Sequence, residues 1–257
     1  MDFFSKIKWQ DYGLDIGPFR LVEEIGANIG IATEEYPSFI MMKTRAILDA
    51  YPDVIRSRGK FEDILELGIM KGGSSVLFNE LLQPNRHMSV DVYEHKSGLT
   101  EFSNYVAAQG RQFVARFDLS QGEPDKIIAA YESAFHAEAR FDLIIDDASH
   151  NYALSAIAFN RLFPLLRPGG IYALEDWGWG HWPGVWQEKT HPEFENPSLS
   201  NLPIYALLSV TGGDGAIAKV IATPNVTFMF RGDTPPSPNF SIEKSFLLRG
   251  GRGVPVV

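Results

Sequence analysis

The sequence predicts a doubly wound α/β domain: a mostly parallel sheet with helices on both faces, finished by a C-terminal antiparallel hairpin. Three observations carry this. From residue 61 onward, short runs rich in Val, Ile and Leu alternate with helical patterns of about 10–15 residues, the signature of right-handed crossovers. A glycine-containing turn, GIMKGG at 68–73, follows the first of these runs. The last two apolar runs are separated only by Thr223, Pro224 and Asn225, a tight turn that joins neighbouring antiparallel strands.

In order, strands are predicted over 61–69, 87–93, 112–117, 141–146 and 171–174, with helices over 74–82, 100–108, 124–135 and 152–166 between them. A further helix near 204–210 precedes the hairpin strands at 216–222 and 226–231. Residues 1–58 stand apart as an arm with lid or cap helices, leaving 59–257 as the main domain. The first 34 residues mix glycine, aromatic and acidic residues without a sustained period, and accommodate at most one short helix. Across 37–51, Ile40, Met41, Thr44, Ile47, Leu48 and Tyr51 recur at three and four, which predicts one amphipathic helix entered at Pro37 and ended before Pro52.

At 257 residues and 45% hydrophobic content, the chain is long enough for one large domain with a full core. A formal net charge of −9 without a Lys or Arg cluster argues against a nucleic-acid partner, whose phosphates demand basic residues. Cysteine is absent, which removes disulfides, a thiolate nucleophile and zinc-thiolate sites. The N-terminus lacks the apolar core of a secretory signal, and no apolar run reaches the ~20 residues of a membrane span. A soluble, cytoplasmic chain with no membrane partner is expected.

Acids crowd the predicted strand ends. FDLIIDDASH (141–150) places Asp146, Asp147 and His150 where a buried strand emerges, and GGIYALEDW (169–177) does the same for Glu175 and Asp176. Ligands of open α/β sheets bind at that edge. Four carboxylates on neighbouring tips repel one another, and a hard divalent cation with oxygen ligands relieves the repulsion. The alternative is that these acids cap the following helices. Upstream, Glu66, Asp91 and Asp118 each end a strand, so consecutive tips carry Glu66, Asp91, Asp118 and Asp146 as one binding edge. Gly68, Gly72 and Gly73, followed by Ser74 and Ser75, open a helix N-terminus whose free amides suit a ligand. Met70 spoils a dinucleotide phosphate loop and Glu66 would repel pyrophosphate, yet Glu66 suits an ammonium group. Asp91 matches an acid that bonds a ribose, and Asp118 one that accepts from an adenine amino group. Each also reads as a solvated strand-end acid.

Beyond the second acidic pair, DWGWGHWPGVW (176–186) spaces Trp177, Trp179, Trp182 and Trp186 with glycines, offering flat faces for a sugar or planar acceptor. His181 is a secondary contact. The alternative is a loop packed on a second copy of the chain, which would make a homo-oligomer.

Together, ELGIMKGGSS, Asp91, IDDASH and LRPGGIYALED resemble class I S-adenosylmethionine-dependent methyltransferases, which have a Rossmann-like sheet. More closely they resemble the metal-dependent sugar O-methyltransferases of macrolide biosynthesis, the macrocin and mycinamicin type, and the related cephalosporin hydroxylase and rhamnosyl O-methyltransferase group. The resemblance spans about residues 60–180 and is strongest from 141 to 176. It implies S-adenosylmethionine and Mg2+ (or Mn2+) as cofactors, with Asp147, Glu175 and Asp176 holding the metal and His150 as base. It also implies that 59–257 is the methyltransferase domain and that the acceptor is a small hydroxylated molecule. Met70 departs from the usual loop, and the N-terminal arm matches nothing in the family. A phenol or catechol acceptor, a cofactor-binding protein that has lost methyl transfer, and an NAD-dependent oxidoreductase are the competing readings.

Overall fold

A computed structural model of the chain describes residues 3–23, 38–94, 98–212 and 214–246. The strands of the main sheet are β5 (Asp63–Leu67), β6 (Arg86–Val90), β7 (Gln112–Arg116), β8 (Phe141–Asp146), β9 (Leu166–Glu175), β10 (Ile217–Ala222) and β11 (Val226–Arg231). Their spatial order is β10-β11-β9-β8-β5-β6-β7. The five strands from β5 to β9 pair in parallel, whereas β11 runs antiparallel to both β9 and β10. The expected terminal hairpin is therefore present. Chain order reverses at β5, with β6 on one side and β8 on the other, and the crevice above such a switch point is the ligand-binding position of open α/β sheets.

Side-chain alternation explains why both faces are covered. Along β9, Ile171 and Ala173 enter one apolar cluster, and Tyr172 and Leu174 enter the other. The first cluster packs α3 (Gly73–Leu82) and α4 (Leu99–Ala108) through Val76, Phe78, Phe102 and Val106. The second packs α5 (Pro124–Phe135), α6 (Tyr152–Leu162) and α7 (Asn201–Gly212) through Ile127, Phe159 and Ala206.

The N-terminal region differs from its sequence-based expectation. β1 (Ile7–Gln10), β2 (Gly13–Ile16), β3 (Phe19–Glu23) and β4 (Ser38–Met41) form a second, four-stranded sheet. The single helix predicted over 37–51 is replaced by β4 and a short helix α1 (Arg45–Leu48), and a helix α2 (Pro52–Arg58) follows where the prediction ended. Pro37 and residues 24–36 of the predicted arm lie outside the described residues. The physical reason is tertiary. Residues 38–41 pair in parallel with β3, and that backbone pairing outweighs a three-four spacing shared by helices and buried strands. Thr44 then caps α1, accepting a hydrogen bond from the Ile47 amide, and Pro52 occupies the first turn of α2, where it starts a helix. Leu14, Ile16, Phe19 and Phe39 join the same apolar cluster as α3 and α4, so this sheet packs on the main domain. Ile40 forms a backbone bridge to Gly72, which brings the N-terminal sheet to the glycine loop.

Candidate active site

The strand tips are stitched together by their backbones. The Gly68 amide donates to the Val90 carbonyl, Asp91 to Arg116, Leu119 to Asp91, and Asp147 to Leu67. Gly68 has φ +95°, and a β-carbon there would lie 2.1 Å from the Asp147 carbonyl oxygen. Glycine at 68 thus lets the loops after β5 and β8 touch. Four non-glycine residues at these tips, Met70, Asp118, His150 and Asp176, have φ between +48° and +60°. Left-handed backbone at bulky residues costs free energy and clusters at binding sites.

A cleft of about 480 Å3 opens above β5, β6 and β8. One wall consists of Gly68, Met70, Val90 to Tyr93 and Leu119 to Gln121, and the other end is formed by Asp147, Ser149, His150 and Asp176. Met42, from the segment after β4, also lines it. The volume suits a drug-sized or nucleoside-sized molecule.

The predicted cofactor residues divide into those at the cleft and those behind it. Gly68 and Asp91 line it. Asp91 Oδ2 accepts hydrogen bonds from the Ile69 and Met70 amides at 2.8 and 2.9 Å, so this acid also fixes the glycine loop. Glu66 is fully buried, its Oε2 accepting from Ser75 and Ser89, and burial raises its pKa against those bonds. Its Oε1 has no hydrogen-bond partner. Ser74 and Ser75 are buried in the first turn of α3. Gly73 meets β4 instead of the cleft, since a β-carbon would lie 2.4 Å from the Ile40 carbonyl oxygen, and Gly72 faces Leu99. Asp118 lies outside the lining, and its neighbours Leu119, Ser120 and Gln121 take that wall. Asp146 is buried beneath, accepting from the Tyr172 hydroxyl at 2.7 Å and the Gln121 amide at 3.1 Å, and burial pushes its pKa up to about 6. Gln121 in turn accepts from the Ser149 amide, so Asp146 positions the loop that carries Asp147 and His150.

Asp147, His150 and Asp176 each present a ligand atom within 4.8 Å of the others. His150 Nε2 is 3.8 Å from Asp147 Oδ1. Burial, followed by repulsion from Asp147, raises the Asp176 pKa. Glu175 lies deeper, 1% exposed. Its Oε2 and Asp147 Oδ2 both accept from the Lys43 ammonium at 2.5 Å, and its Oε1 accepts from the Tyr51 hydroxyl. Burial works against the charge on Lys43, but Asp147 and Glu175 outweigh it and hold the ammonium protonated. Lys43 and Tyr51 were invisible as site residues in the sequence, because both fell on the helix predicted over 37–51. The available signal was one lysine closing the apolar run FIMM.

The aromatic segment stands behind His150. Trp179 donates its indole N–H to the His150 carbonyl at 2.9 Å, and Trp177 donates to the Thr223 carbonyl. Trp186 packs on Trp179, Trp182 and His191 with ring centroids 5.0, 6.1 and 4.9 Å apart. His181 Nε2 is 2.7 Å from the Ser200 hydroxyl. Trp182 is the most exposed of the predicted aromatic contacts, at 36%.

Residues 65–177 match the family model described as a methyltransferase domain. Over 62 residues, 24% of the chain, the sequence is 42% identical to mycinamicin VI 2''-O-methyltransferase of Micromonospora griseorubida, covering 16% of that protein. Over 126 residues, 49% of the chain, it is 28% identical to L-olivosyl-oleandolide 3-O-methyltransferase of Streptomyces antibioticus, covering 28% of that protein. A methyltransferase of the mycinamycin biosynthetic pathway, solved with Mg, SAH and mycinamycin VI, superposes with a TM-score of 0.53 at 23% identity over 75% of this chain and 51% of that one. The same methyltransferase solved with Mg and SAH in crystal form 1 gives 0.51 at 25% identity over 75% and 52%. The chain thus spans about half the length of that structure, and its matches cover less than a third of either curated relative.

Proposed function

We propose that the chain, whose residues 65–177 match a methyltransferase-domain model, is a class I S-adenosylmethionine- and divalent-cation-dependent O-methyltransferase acting on a sugar or other hydroxylated natural product. One observation carries this reading: a single cleft joins the Gly68 and Asp91 wall to the Asp147, His150 and Asp176 group. A methyl donor and a hydroxyl acceptor bound along that cleft meet at the acids.

The residues fit both groups. Asp91, at the tip of β6, has carboxylate lone pairs left for ribose hydroxyls after bonding the loop amides. The partnerless Glu66 Oε1 is a buried acceptor suited to an ammonium donor at the glycine loop. Carboxylate oxygens from Asp147 and Asp176 match the donor set a hard divalent cation prefers, whereas Glu175, expected as a third ligand, has both oxygens engaged, by Lys43 and Tyr51. Such a cation, when bound, lowers the pKa of an acceptor hydroxyl and orients a neighbouring oxygen. His150, one-third exposed at the cleft, takes the hydroxyl proton on its imidazole nitrogen as the methyl group is transferred. Trp179 fixes the His150 backbone from behind, while Trp182, though exposed, lies outside the cleft lining.

The test is methyl transfer from S-adenosylmethionine to a panel of deoxysugar glycosides and phenols, with and without chelator. Activity that needs Mg2+ or Mn2+ and favours a glycoside is expected. Full turnover by demetallated protein would overturn the cation's role, and a preference for catechols would move the acceptor class.

A further inference from the structure

Resting on that reading, we infer that Lys43 is a positioning residue, a tethered cation that fixes Asp147 for the exchangeable divalent cation and makes the N-terminal sheet part of the site. Asp147, Glu175 and Asp176 bring three carboxylates together, and among the described residues Lys43 is the lysine or arginine that pairs with any of them. One ammonium offsets only part of the charge these three acids carry when ionised, and a divalent cation would offset the rest. Geometry divides the same way. Lys43 Nζ occupies Asp147 Oδ2 and Glu175 Oε2, both at 2.5 Å, and its side chain is 3% exposed. Asp147 Oδ1 is left on the side of His150. The Asp147 carboxylate therefore has one oxygen committed to a fixed internal cation and the other turned toward the open cleft.

The tether also explains how a remote sheet reaches the chemistry. Lys43 follows β4, whose Ile40 bridges Gly72, and whose Ile40 carbonyl closes on Gly73. Tyr51, just before α2, holds the other oxygen of Glu175. Both anchors of Glu175 thus come from residues 43–51, and Met42 in the same segment lines the cleft. A carboxylate that ligates metal is oriented by the partner on its other oxygen, and losing such a partner typically weakens metal binding by ~10–100-fold.

The test is calorimetric titration of Mn2+ into the full chain without cofactor or acceptor, comparing the unaltered protein with Lys43→Met. The variant is expected to bind Mn2+ at least ~10-fold more weakly. Tighter binding would show that Lys43 competes with the metal, and equal binding would show an ion pair of structural use only; either overturns the inference. Should Lys43→Met fail to fold, the unaltered chain labelled with 15N-lysine provides the readout. A protected Lys43 ammonium signal that persists after Mg2+ is added supports the tether, and its loss to solvent exchange contradicts it. If the unaltered chain binds no Mn2+, the cation site itself is wrong and the inference goes with it. Normal Mn2+ binding without methyl transfer would instead sink the reaction and leave Lys43 in place.

Discussion

The two edges of the main sheet carry similar acids in opposite circumstances. At the edge where strands begin, buried Asp63 and Asp142 meet three guanidinium groups: Arg86 pairs with Asp63, Arg58 with Asp142, and Arg167 with both at 2.6 and 3.0 Å. Tyr131 adds a hydroxyl to Asp63, and the Glu62 and Asp63 amides add two hydrogen bonds to Asp142. Burial opposes ionisation of Asp142, yet Arg58 and those amides hold its pKa below the ordinary value. At the edge where strands end, among the described residues, Lys43 is the lysine or arginine that pairs with Asp147 and Glu175, none pairs with Asp176, and the pKa values of Glu175 and Asp176 are both raised, burial being the leading cause in each. At the first edge the buried acids are more than matched by guanidinium groups. The second holds surplus negative charge open to a cleft, an arrangement that costs stability and is found where ligands bind.

If that contrast is right, substitutions at the two edges fail differently. The largest effect is expected at the open edge. His150→Ala should lower the single-turnover rate by ~10²–10⁴, with circular dichroism nearly unchanged. A variant that keeps its full rate would move the proton to another path. At the first edge, Asp142→Asn leaves two guanidinium groups short of a partner and should cost about 3 kcal/mol in urea unfolding, with activity per folded molecule preserved. Loss of activity without loss of stability there would erase the distinction between edges.

Between the edges, His87 gives a pH test. It is fully buried, accepts from Asn79 through Nδ1 and contacts Ser89 through Nε2, and burial, with Arg111 nearby, pushes its pKa down to about 3. The unfolded chain protonates His87 near its ordinary value, whereas the folded chain does not. Its contribution is therefore present above about pH 6.5 and is lost as pH falls, by about 2 kcal/mol between pH 6.5 and 5. The raised acids Glu66, Asp146 and Glu175 have the opposite sign, stabilising as pH falls. Comparing the pH dependence of unfolding for His87→Gln and the unaltered chain isolates the histidine. Identical slopes would show that His87 already binds its proton when folded. The smallest effect is expected from Asp176→Asn. Relieving repulsion from Asp147 should raise stability by about 1 kcal/mol or less while turnover falls.

The main sheet was legible because its strands are buried on both faces and its helices show the 3.6 period, so apolar runs and amphipathic patterns alternate without ambiguity. The hairpin at Thr223 to Asn225 declared itself by its turn residues. The acids and His150 were legible for a related reason, since a charged residue ending an apolar run has one place to go. The N-terminal sheet was not. Its strands are four or five residues long, too short for a period, and β4 takes its conformation from pairing with β3. Lys43 went with it, lying outside the apolar spacing of the predicted helix yet being a buried ammonium in the fold. Gly72 and Gly73 show a subtler limit. Sequence marks where a side chain is not tolerated, and a ligand and a packed strand exclude it equally well.

Methyl transfer in this cleft requires S-adenosylmethionine to bind above β5 and β6. Isothermal titration of the full chain with S-adenosylmethionine and, in parallel, with NAD, each with and without Mg2+, tests this directly. Saturable one-to-one binding of S-adenosylmethionine, weakened in Asp91→Ala by the ~1.5–3 kcal/mol of a charge-assisted hydrogen bond, and no heat with NAD are predicted. Binding of NAD in preference, or S-adenosylmethionine affinity unchanged in Asp91→Ala, would contradict it.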